Sequence, residues 1–114
     1  MTADARAAQN ELAQRVREAI TAHGSVREVR MFGGLSFLVD ERLAVAAGRA
    51  GDLLVRTDPA EHDALLGQGG EPAFMGKDRP MGPGWLTVPA DRIRGKDELA
   101  RWIAIGVESR GATG

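Results

Sequence analysis

The chain has 114 residues, 43% apolar and 27% charged, and its fifteen basic and sixteen acidic side chains leave a formal charge of −1. That is the size and make-up of one globular domain with enough chain to bury a core unaided. There is no cysteine and no tyrosine, and only three Phe and two Trp, which excludes thiolate catalysis, disulfide scaffolds, zinc fingers and iron–sulfur clusters and leaves little for a base-stacking platform.

From Gln9 to Ala22 the apolar residues Leu12, Val16, Ala19 and Ile20 follow a helical spacing, with Arg15, Arg17 and Glu18 off the stripe. His23-Gly24 closes this helix, the glycine in the left-handed conformation that needs no Cβ. Residues 1–8 read as a loose tail. Between Arg27 and Asp58 the pattern changes to period two: Val29 and Met31, then Leu35, Phe37 and Val39, then Leu43 and Val45, then Leu53 and Val55. Gly33-Gly34, Asp40-Glu41 and the segment 48–51 are turn-like breaks, so four strands in an antiparallel meander are expected.

Asp58-Pro59-Ala60-Glu61 starts a short helix, with Asp58 as cap, Pro59 in the first turn and Glu61 completing a capping box; the helix ends at Gly67. His62 is placed on its exposed side. Residues 67–84 hold six glycines and three prolines, so the most they allow is one short strand around Ala73–Met75. Trp85–Val88 is a strand. Asp97–Glu108 is the last helix, with Leu99, Trp102, Ile103, Gly106 and Val107 on one face and Gly95 as its cap. Residues 109–114 read as a second loose tail. The whole is one α+β domain spanning 1–114: helix, four-strand meander, short helix, two strands, helix, with the sheet mainly antiparallel and the helices packed on one face.

The familiar catalytic motifs fail for want of a residue. Gly70 to Lys77 is one position too long for a phosphate loop, Asp78 replaces the required hydroxyl, and Pro72 removes an amide. Gly34-Leu35-Ser36-Phe37-Leu38 lacks the second glycine of a nucleophile elbow and reads as strand. His23 and His62 lack the spacing of a helical zinc pair, and Asp58 and Glu61 are used in capping. No catalytic residue, metal or cofactor is therefore expected. Two surfaces remain as candidates. Met31, Phe32, Gly33 and Gly34, with Met75, Gly76 and Met81, offer soft side chains beside glycines, suited either to plugging a core under a tight turn or to lining a partner or ligand surface. Arg27, Arg30, Arg92, Arg94 and Lys96 form a candidate basic patch whose simplest role is a solvated rim.

The segments Arg30-Met31-Phe32-Gly33-Gly34-Leu35-Ser36-Phe37, Leu54-Val55-Arg56 with Asp58, Phe74-Met75-Gly76, Gly84-Trp85 and Leu99-Ala100-Arg101-Trp102 occur in that order, and together they resemble the N-terminal domain of the TfoX/Sxy family from about Gln9 to Ser109. The five aromatics, Phe32, Phe37, Phe74, Trp85 and Trp102, all fall in these segments and are expected in core and turns. The resemblance implies helices on a mostly antiparallel sheet and a role without catalysis. Its best-known members regulate natural competence together with a transcription activator, and they carry a C-terminal domain that this chain is expected to lack. It carries over no catalytic residues.

The expectation is a non-enzymatic regulatory or protein-interaction domain, linked to transcriptional regulation of competence-type genes. The alternatives are a small-molecule or peptide binder using the Met/Gly surface, and a weak DNA-contacting domain. The partner is expected to be a transcription-related protein or a second copy. The net charge argues against direct nucleic-acid binding. The N-terminus has no leader pattern and Leu43–Ala47 is too short to span a bilayer, so a cytoplasmic bacterial protein without a membrane partner is expected.

Overall fold

A computed structural model describes residues 2–31, 34–48, 51–75 and 79–109. Helix α1 spans Thr2–Ile20. It includes residues expected to be a loose tail, because alanines at 3, 5, 7 and 8 carry the highest helix propensity without forming an apolar stripe. One 3-10 turn, Thr21–His23, follows. Gly24 then takes φ +143° and ψ −158°, a glycine conformation other than the left-handed helical one expected.

Strands β1 (Val26–Met31), β2 (Gly34–Val39), β3 (Arg42–Ala47) and β4 (Leu53–Arg56) form the expected meander. Asp40 and Glu41 turn β2 into β3 with φ of 53° and 69°, the two positive angles of the tight turns that match strand twist. Asp58 caps the next turn by accepting from the Ala60 amide at 3.0 Å. The reciprocal half of the capping box does not form among the described residues. The Glu61 amide donates to the Asp58 carbonyl instead. Pro59–Glu61 is a 3-10 turn that leads into α2 (His62–Leu66).

The glycine- and proline-rich stretch pairs more than expected. It contains β5 (Glu71–Pro72), β6 (Phe74–Met75) and β7 (Arg79–Pro80), each two residues long. β6 and β7 make a separate small hairpin. β8 (Trp85–Val88), a 3-10 turn (Ala90–Arg92) and α3 (Lys96–Ser109) complete the chain.

The main sheet runs β1-β2-β3-β4-β8-β5, with antiparallel neighbours throughout. Period two sends Phe37, Val39, Val45, Val55, Leu86 and Val88 to one face, where all are fully buried. The helices cover that face with Leu12, Val16 and Ile20 from α1, Leu65 from α2 and the expected stripe of α3. A bulge between Phe37 and Leu38 sets the extra residue Ala44 against α3. There α3 lies so close that a Cβ on Gly106 would stand 2.5 Å from the Ala44 carbonyl oxygen. Ser36 and Ala46 on the opposite face are buried but stand outside this core cluster.

Three polar contacts hold the ends of elements in place. Buried Gln9 donates from Nε2 to the Ala47 carbonyl at 3.1 Å, tying α1 to the end of β3. Thr57, fully buried, donates from Oγ1 to the Pro83 carbonyl at 2.9 Å and from its amide to Gly84 at 2.8 Å, fixing the segment before β8. Arg15 reaches from α1 to the segment before α3, where its Nη2 donates to the carbonyls of Ile93 at 2.8 Å and Arg94 at 3.1 Å.

Candidate functional site

The last of these contacts organises a groove. Residues three or four apart share a helix face, so Arg15, Glu18 and Ala19 lie together on the side of α1 that meets α3. They form one wall of a groove of about 500 Å³; Arg94, Lys96, Leu99 and Ala100 form the other. A smaller hollow of about 200 Å³ adjoins it and shares Arg15 and Arg94. The floor is apolar, from Ala19, Leu99 and Ala100, and the rim carries three cations against one carboxylate, Glu18. Glu18 accepts a hydrogen bond from Gln14 at 3.0 Å. No carboxylate forms an ion pair with Arg15, Arg94 or Lys96 among the described residues. The groove is therefore a concave surface with net positive charge and a small apolar base.

The candidate basic patch is thereby divided. Arg94 and Lys96 are in the groove, and Arg92, in the preceding 3-10 turn, is exposed and lies against Gly69. Arg27 and Arg30 belong to β1, at the far edge of the sheet. Three residues apart on a strand, they point to opposite faces. Arg27 pairs with Glu41 at 2.8 Å. Arg17 points from α1 toward β1, away from the groove, and grips Glu28 through two hydrogen bonds of 2.5 and 2.8 Å. These bonds hold the Glu28 carboxyl below, and the Arg17 guanidinium above, their ordinary pKa values.

Of the methionine surface, Phe32, Gly33 and Gly76 lie outside the described residues. Met31 ends β1 and Gly34 opens β2 at one edge of the sheet. Met75 ends β6 in the small hairpin, and half-buried Met81 follows β7, its amide donating to the Ala73 carbonyl at 2.9 Å. The hairpin is tethered beside β5, at the other edge. His62 is not on an open side: only 16% of its side chain is exposed, next to Asp63. Ser36 is an ordinary strand residue, buried on the face away from the helices. Among the described residues no three His, Asp or Glu side chains cluster as metal ligands, and no helix is long and apolar enough to cross a membrane.

The aromatics divide too. Phe37 and Trp102 are core. Trp85 is half-buried under the Arg56 guanidinium, 5.0 Å from its ring centre. Phe74, expected in core or turn, is 50% exposed on the small hairpin.

A family model for the TfoX N-terminal domain matches residues 18–109. The chain belongs to this family. No curated protein matches it significantly. The TfoX match begins at Glu18, so it includes Arg94, Lys96 and Leu99 but not Arg15, which closes the groove from upstream. Sequence reading singled out Arg94 and Lys96 by their proximity in the chain and missed Arg15. The only signal available was an arginine beside, and not on, the apolar stripe of α1.

Proposed function

We propose that this TfoX N-terminal domain is a non-enzymatic protein-interaction module that acts in transcriptional regulation, and that the groove between α1 and α3 receives an acidic segment of a partner protein. The groove carries this reading: three cations free of carboxylate ion pairs surround an apolar floor. Carboxylates of a bound segment would meet Arg94 and Lys96, and one apolar side chain would cover Ala19 and Ala100. Arg15 is already held by two carbonyls, so it keeps the rim in shape and presents a charge that needs no reorganisation. Nucleic acid fits less well, because the overall charge is −1 and the groove offers no aromatic face for stacking.

The test is affinity capture from the host at physiological salt with the native chain and with R94E/K96E. A transcription activator should bind the native chain and be lost from the double variant. Equal capture by both overturns the groove as the site. A gel shift with duplex DNA that weakens steeply with salt would favour phosphate contacts instead. The groove's volume also lies in the range of small-ligand sites. Calorimetry with small dicarboxylates separates that reading, since a protein segment requires none of them to bind.

A further inference from the structure

The two edges of the main sheet differ. β5 is two residues long and ends in Pro72, which has no amide hydrogen to offer. β1 is six residues long, contains no proline, and pairs with β2 in unbroken register from Val26 to Met31. Among the described residues no strand pairs with its outer side. Such an edge is a template for another strand unless its side chains prevent it. Those side chains are Val26, Arg27, Glu28, Val29, Arg30 and Met31, and their signs are arranged in a way that selects one arrangement.

In an antiparallel pair, directly opposed residues both turn their backbone groups toward each other or both away, so for two copies of one strand the opposed positions share parity. The two-fold axis then passes through a residue that faces its own copy. An axis on Arg27 or Arg30 sets two guanidinium groups against each other. An axis on Glu28 does the same with two carboxylates. An axis on Val29 sets valine against valine, opposes Glu28 to Arg30 twice, and opposes Arg27 to Met31. It is the one interior position without a like-charge pair. The register with β2 fixes the faces: Glu28 opposes Phe37 and Arg30 opposes Leu35, so both lie on the helix side, and Val29 opposes Ser36 on the other. Both Glu28–Arg30 pairs would stand beside Arg17, which already orients Glu28. Arg30 has no carboxylate partner among the described residues.

We propose that β1 is a self-association seam, at which a second copy of this chain adds its β1 antiparallel about a two-fold axis through Val29, so that one sheet continues across both copies. The alternating charges then do two things. They disfavour every other interior register, and they favour this one through two cross-strand ion pairs. The seam is separate from the groove, so either can stand without the other.

The chain has no cysteine, so single thiols can map the seam without background. V29C should form a disulfide dimer on mild oxidation, because self-opposed positions have Cα atoms about 4.5–5.5 Å apart, within disulfide reach. E28C and R30C should not link alone but should link when mixed. In sedimentation the native chain should dimerise. R30E should weaken the dimer about tenfold or more, since two attractive pairs become repulsive, and E28R/R30E should recover much of the loss. Circular dichroism of each variant reports folding separately. A native chain that stays monomeric at millimolar concentration overturns the proposal. So does a dimer that survives R30E unchanged, or one in which V29C fails to link.

Discussion

The two faces of the main sheet come from the same strands, yet they are built to different tolerances. On the helix side Phe37, Val45, Val55 and Leu86 are fully buried, and α3 approaches so closely that Gly106 has no room for a methyl group. On the other side Leu54, Thr87 and Trp85 are half-buried and stand outside the core cluster, beside the buried Ser36 and Ala46. Removing an atom from the first face leaves a void that rigid neighbours cannot close. Removing one from the half-buried side chains of the second leaves space that water enters. The contrast matches the composition of the strands: Phe37 and the fully buried aliphatic residues point inward, and the other face mixes Ser36, Ala46, Arg56 and Thr87 with Leu54 and Trp85.

Substitutions can break or sharpen this comparison, and the largest effect belongs to the helix side. F37A should lower unfolding free energy by about 3–5 kcal/mol in urea titration. G106A should lose about 1–3 kcal/mol, because the added carbon meets the Ala44 carbonyl and the Val45 side chain and α3 must lift. A neutral result there would mean that α3 sits farther from the sheet than described. L54T, on the open face, should cost at most about 1 kcal/mol. If L54T equals F37A, the open face is covered in solution and the contrast fails.

The smallest effect concerns the partly exposed Arg17–Glu28 pair at the margin of the helix side. Arg17 depresses the Glu28 pKa in the folded chain below its ordinary 4.5. The pair therefore adds stability above that value, and the contribution disappears as pH falls through the folded value. Surface pairs of this exposure contribute about 0.2–1 kcal/mol. E28Q should cost that much at neutral pH and progressively less as pH falls through the folded Glu28 value, in denaturant titrations over a descending pH series.

Much of the fold was legible because it depends on local periodicity. The stripe Leu99, Trp102, Ile103, Gly106 and Val107 on α3 is the buried face the spacing predicts, and the period-two runs became β1 to β4. The Asp58 cap was readable because it acts two residues away. What escaped was non-local or lacked apolar contrast. The first turns of α1 are alanine-rich and carry no stripe. β5, β6 and β7 are held by pairing that glycine and proline composition does not advertise. The groove escaped for a third reason: Arg15 meets Ile93 across 78 positions, and only the packed helices bring them together. Phe74 was misplaced because its chemistry predicts burial and the hairpin that carries it stands out from the sheet.

The clamp from Arg15 to Ile93 and Arg94 also sets an order of events during synthesis. The meander closes through short turns and can pair as it leaves the ribosome, whereas α1, made first, finds its carbonyl acceptors only after the chain has passed residue 94. Chains are made from the N-terminus at about 5–20 residues per second. For those seconds the stripe Leu12, Val16 and Ile20 has its β3 neighbours but not those of α3. The earliest helix of this protein, tied to β3 through Gln9, thus gains its second anchor only as synthesis nears its end, and nascent chains halted before α3 should be the ones that holdase chaperones retain.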